Sequence, residues 1–91
     1  MNTLEAMAVR SRLAIVISRR NTERLEAGEK RLTLRKVSAD SGVPLSVIYG
    51  LTTDRPEKQA KQVAFETISK LCRALRVTPG DILEYTPDPT E

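Results

Sequence analysis

Thr33, Arg35 and Lys36 gather a hydroxyl and two cations within four residues, a set suited to holding a phosphate-type anion. Thr33 is placed to cap a helix, its hydroxyl accepting from a backbone N–H of the first turn. Arg35 and Lys36 then stand where the helix macrodipole prefers acids, at a cost of about 0.3–1 kcal/mol each at low salt. An external anion at that end would offset the cost, because the free N–H groups, the hydroxyl and both cations would face it together. The alternative is that both side chains extend into water. Thr53, Arg55 and Lys58 form a second polar and basic group, which Lys61 extends. Covalent chemistry has almost no material. The 91 residues hold no histidine and one cysteine, Cys72, so no metal site, His-based triad or internal disulfide is expected. Neither an enzymatic activity nor a cofactor is expected.

The stretch that must position these groups is Thr33–Leu51. Val37, Ser38 and Ser41 supply the apolar and small positions of a first short helix. Gly42 follows, where the chain can turn left-handed at little cost. Val43 points inward, Pro44 starts a second helix, and Ile48 and Leu51 continue its inward face. Helix, glycine turn, helix at this spacing is a helix-turn-helix, whose second helix commonly enters the major groove of DNA. An ordinary helical hairpin within a bundle shares the pattern.

Charge bears on that choice. The net charge is +3, unevenly spread. Residues 8–36 carry nine Lys/Arg against three Glu, and residues 55–76 carry six against two. Residues 37–54 between them hold only Asp40 and Asp54, and residues 77–91 hold four acids and no base. Two basic blocks around a near-neutral helix pair suit phosphate contact on either side of a groove; a solvated charged surface is the bland reading. Three aromatic residues, Tyr49, Phe65 and Tyr85, are too few for a single-strand stacking platform.

In chain order, residues 1–7 read as a mobile tail. Val9, Leu13, Val16 and Ile17 predict a first helix over about residues 8–26, stopped by Gly28. Residues 52–62 read as a long basic loop broken by Pro56, ordering against a DNA backbone; a short helical turn at 57–62 is the alternative. Phe65, Ile68, Leu71, Cys72 and Leu75 predict a buried helical stripe over 64–75, with Cys72 packing rather than reacting. Thr78, Pro79 and Asp81 suit the start of a short last helix anchored by Ile82 and Leu83. Residues 86–91 read as an extended tail. The expectation is one all-α domain of five helices over 8–85. No apolar run reaches 18 residues and the N-terminus lacks a basic start, so neither a membrane span nor a signal peptide is expected, and the cytoplasm is the default.

Three segments together resemble the phage-repressor type of helix-turn-helix, the Xre or Cro-like family. L-T-L-R-K-V-S-A-D-S-G-V-P-L-S-V-I-Y-G-L is similar to its two-helix signature, F-E-T-I-S-K-L-C-R-A-L to its fourth helix, and V-T-P-G-D-I-L-E-Y to its short fifth helix. The resemblance implies sequence-specific binding of double-stranded DNA, transcriptional control by a repressor, and a homodimer on a two-fold operator. It places Leu45, Ser46, Tyr49 and Gly50 against bases, and Thr33, Arg35, Lys36, Thr53, Arg55 and Lys58 against phosphates. Two positions depart from the family. Leu34 stands where Gln is common at the start of the second helix, and Leu45 stands where a polar residue is common at the head of the third. The third helix therefore lacks a side chain for bidentate base readout, worth about 1–3 kcal/mol of discrimination, which shifts selection toward methyl contacts, the basic flanks and DNA shape. The competing reading is an antitoxin-like or accessory module that grips a partner protein with the same helix face.

Overall fold

Val9–Ser11 forms a short strand, β1, where the apolar spacing predicts the start of a helix. The difference has a physical source: Val9 sits four residues before Leu13, so it matches helical spacing, yet its cross-strand partner is Tyr85. β1 pairs antiparallel with β2, Leu83–Tyr85, in the register Val9 with Tyr85, Arg10 with Glu84 and Ser11 with Leu83. The fold is described here from a computed structural model covering residues 9–85. The expected tails at 1–7 and 86–91 lie outside the described residues.

α1 runs Leu13–Glu26, with Arg12 at its cap position and Ser11, the last residue of β1, fixed just before it. The Ser11 hydroxyl oxygen accepts from the Leu13 N–H at 3.2 Å and its proton goes to the Leu51 carbonyl at 2.6 Å. Leu13, Val16 and Ile17 are buried as the spacing predicts. Gly28 takes a left-handed φ of 75° just past the helix end. Asn21 then clasps the connection to the next helix. Its side-chain amide accepts from the Leu32 N–H at 2.6 Å and donates to the Leu32 carbonyl at 3.1 Å, and Leu32 is buried.

α2, Leu34–Ser41, and α3, Leu45–Thr52, are the predicted helix pair. Gly42 between them has φ 79° and ψ 11°. Three further bonds shape the turn. The Gly42 N–H reaches the Ser38 carbonyl at 2.9 Å, the Ser38 hydroxyl donates to the Val43 carbonyl at 2.6 Å, and the Ser41 hydroxyl accepts from the Val43 N–H at 3.2 Å. Pro44 stands one place before the helix rather than within it, with φ −57° and ψ 144°. A Cβ added at Gly42 would meet nothing within 4 Å, so substitution there tests the backbone alone. We expect Gly42→Ala to cost about 1–2 kcal/mol, the left-handed penalty for a residue with a Cβ, and Gly42→Asn to cost less, because Asn tolerates that region. Urea denaturation of the two variants checks the order.

α4, Phe65–Leu75, packs against α2, and α5, Pro79–Ile82, packs against α4 and α1. The core is Leu13, Val16, Ile17, Leu32, Val37, Val43, Ile48, Leu51, Ile68, Leu71, Leu75 and Ile82. Phe65 departs from its expected place on the buried stripe: it is 94% exposed. It is the first residue of α4, and Val63 from the preceding loop packs against the core instead. Cys72 is partly buried against the core. Burial, then the nearby Asp81 charge, pushes its thiol up, which fits packing rather than nucleophilic chemistry. Asp81 closes the start of α5, its carboxylate accepting from the Thr78 N–H at 2.9 Å and the Thr78 hydroxyl at 3.0 Å; these bonds hold it below the ordinary carboxylate range.

Candidate nucleic-acid interface

α3 has two unlike faces because of its sequence alone. Ile48 and Leu51 turn into the core, at 0% and 6% exposure. On the other side run two adjacent rows, each with the four-residue spacing that places side chains one above another on a helix. One row is Leu45 and Tyr49, the other Ser46 and Gly50. Ser46 is exposed and Tyr49 is 52% exposed, while Leu45 and Gly50 are half-buried. The predicted strip therefore faces outward, with Ser46 and Tyr49 as its open centre. It offers hydroxyl donors and acceptors and an aromatic ring, and no amide or guanidinium.

Gly50 has an explanation the sequence does not reveal. The chain's own loop packs against it, two residues before the end of α3. Ala60 N–H donates to the Gly50 carbonyl at 2.8 Å, and a Cβ at position 50 would lie 3.4 Å from the Ala60 Cβ.

The residues expected at phosphates fall into two groups. Thr33 caps α2 as predicted, its Oγ1 accepting from the Lys36 N–H at 3.1 Å. Its own hydroxyl proton remains to donate outward. Arg35 is exposed and has no ion-pair partner among the described residues. Lys36, expected at an anion or in water, does neither alone: its Nζ lies 3.2 Å from an Asp40 carboxylate oxygen, four residues on. That pair is exposed on both sides and is worth about 0.3–0.5 kcal/mol, little enough for a phosphate to displace. Leu34, the family departure at this helix start, is half-buried and packs against the core.

The second group lies on the 53–62 loop, which carries a single 3₁₀ turn at Pro56–Lys58. The turn expected as an alternative falls slightly later, at 57–62. Thr53 Oγ1 accepts from the Arg55 N–H at 3.1 Å, and the Thr53 carbonyl from the Gln59 amide at 3.4 Å. Arg55 and Lys58 are exposed. This group is joined to α3 through Ala60 and Gly50. The Thr33 group stands at the far end of α2, an eight-residue helix about 12 Å long.

Not all of the first basic block is available to a ligand. The Arg20 guanidinium donates to the Leu75 carbonyl at 2.8 and 3.3 Å and to the Arg76 carbonyl at 3.3 Å, and pairs with Glu23 at 3.0 Å. It closes the C-terminus of α4, where free carbonyls and the dipole both favour a cation. Arg24 donates to the Lys30 carbonyl at 2.9 Å. Counting charges along the chain could not separate these arginines from open ones, because their acceptors are backbone oxygens, in the case of Arg20 from 55 residues away.

Two short helices across a left-handed glycine, the second turned half outward, define a helix-turn-helix protein. A family model of the Cro/C1-type HTH DNA-binding domain matches residues 17–88 of the chain. The chain belongs to that family, and at the family level it is a DNA-binding transcription regulator. No curated protein and no solved structure matches it. No helix of the described residues is long and apolar enough to cross a membrane.

Proposed function

We propose that this chain is a sequence-specific repressor that binds double-stranded DNA as a homodimer, with α3 in the major groove. One observation carries the reading: α3 hides Ile48 and Leu51 completely or nearly so while its Ser46–Tyr49 side stays open. Leu45, Ser46, Tyr49 and Gly50 then lie toward bases. Leu45 meets a thymine methyl, and the two hydroxyls bond to base edges or a phosphate. Thr33, Arg35 and Lys36 hold one stretch of backbone, and Thr53, Arg55 and Lys58 another. The dimer follows from the paired half-sites such a helix reads, and the cytoplasm from access to a chromosome.

The test is equilibrium binding to a duplex across a salt series. Four cations, Arg35, Lys36, Arg55 and Lys58, each neutralising one phosphate, give a log–log slope of about −3 to −4 per bound protomer. Binding that ignores salt, or none with any duplex, contradicts the reading. The second reading, a module that grips a partner protein, is favoured by the absence of a bidentate side chain on α3. It predicts a stoichiometric partner in nuclease-treated extract and no affinity for duplexes.

A further inference from the structure

The C-terminus of α3 leaves its last carbonyls without intrahelical partners, as every helix does. Three of them find partners in three places. The Thr53 N–H takes the Tyr49 carbonyl at 2.9 Å, the Ser11 hydroxyl takes that of Leu51, and the Ala60 N–H takes that of Gly50 at 2.8 Å. The last bond spans ten residues and pins the middle of the basic loop onto the side of α3. A Cβ at Gly50 would face Ala60 directly, 3.4 Å from its Cβ and 3.5 Å from its backbone nitrogen, so a side chain longer than alanine's starts out against the loop.

The loop's composition makes its conformation matter. Residues 53–62 carry Arg55, Lys58 and Lys61, but also Asp54 and Glu57. All five are exposed, and no ion pair among them is present in the described residues. A freely moving loop of this kind presents a net charge of +1 and little attraction for a polyanion. A fixed loop can hold its cations toward one surface and its acids away from it. The fixed state is favoured by the Ala60 bond to Gly50 and, within the loop, by Arg55 N–H to Thr53, Gln59 side chain to Thr53, the Lys58 N–H to the Arg55 carbonyl at 3.0 Å and the Gln59 N–H to the Pro56 carbonyl at 3.4 Å.

We propose that Gly50 and Ala60 form a latch that holds the 53–62 loop, before any ligand binds, as a preordered phosphate-contacting shoulder beside α3. Gly50 is thus a positioning residue for Arg55 and Lys58. The proposal rests on the duplex-binding reading and adds to it the device that orders one of its two phosphate groups.

Ala60→Pro removes the donor, and Gly50→Gln keeps the donor but sets a long side chain on the side of α3 that Ala60 packs against. The expected result for both is a salt slope flatter by about 2 per protomer with helical circular dichroism retained, and for Ala60→Pro an unchanged ratio of affinities for a strong and a weak site. In either background, adding Arg55→Ala and Lys58→Ala has little further effect, whereas in the unmodified chain the same pair flattens the slope by the same amount. The Ala60 amide of the free protein is slow to exchange in deuterated water. An unchanged slope in both variants, full additivity with Arg55→Ala and Lys58→Ala, or a fast-exchanging Ala60 amide overturns the latch. Failure of the unmodified chain to bind any duplex overturns the underlying reading instead, so the two failures are distinct.

Discussion

Ile48→Ala is expected to destabilise the domain by about 2–5 kcal/mol, the cost of emptying a fully buried aliphatic site. The net stability of a small domain is about 5–15 kcal/mol, so this one truncation removes a large share of it. Ile48 sits on the helix assigned to the groove, yet its side chain belongs wholly to the core with Leu13, Val37 and Leu71. The variant therefore loses duplex binding through unfolding, and below its melting temperature it keeps the unmodified order of preference among sequences. Ile48→Val, which removes one methylene, costs about 0.5–1.5 kcal/mol. Ser46→Ala, on the open side of the same helix, stays within about 0.5 kcal/mol. Urea unfolding curves of the three variants check the gradation. Equal losses at positions 46 and 48 would mean that α3 is buried all round.

The second large effect is electrostatic. Replacing Arg35, Arg55 and Lys58 together by alanine should flatten the salt slope by about 3 per bound protomer, near 0.9 for each phosphate no longer neutralised. Extrapolated back from 1 M salt, each neutralised phosphate is worth close to tenfold in 0.1 M salt, so the triple variant weakens binding there by about 10²–10³-fold. The loss falls alike on every duplex, because phosphates carry no sequence. All three side chains are exposed and none supports the core, so the melting temperature should hold. Arg20→Ala is the informative contrast. Its charge counts equally in the sequence, but its guanidinium is bound to the Leu75 and Arg76 carbonyls. It should lower stability while leaving the salt slope in place. Competition of labelled and unlabelled duplexes at several salt concentrations separates these outcomes.

The contrast between Arg35 and Arg20 also marks where the sequence stops being legible. Local signals are readable: Gly42 needs a left-handed turn, Thr33 needs a helix to cap, and Ile48 and Leu51 share an inward face by spacing alone. What requires a partner distant in the chain is not. Val9 looks helical because its mate, Tyr85, is 76 residues away. Phe65 keeps the spacing of a buried stripe, but spacing cannot say where along its axis a helix leaves the core. Gly50 is placed against bases by the resemblance alone, and nothing in the sequence shows that Ala60, ten residues on, packs against it. In the candidate interface the residue types are visible, while the Lys36–Asp40 pair and the Ala60–Gly50 bond are not.

Selection of bound sequences from a random duplex pool, run side by side with three proteins, bears most directly on whether α3 reads DNA. The unmodified chain is predicted to enrich one motif. The variant with Arg35→Ala and Lys36→Ala recovers that same motif, and only when the salt is lowered. The variant with Ser46→Ala and Tyr49→Ala recovers a changed or degenerate motif at unchanged stability. Identical motifs from all three, or no enrichment from any, would contradict the assignment of that helix to the groove.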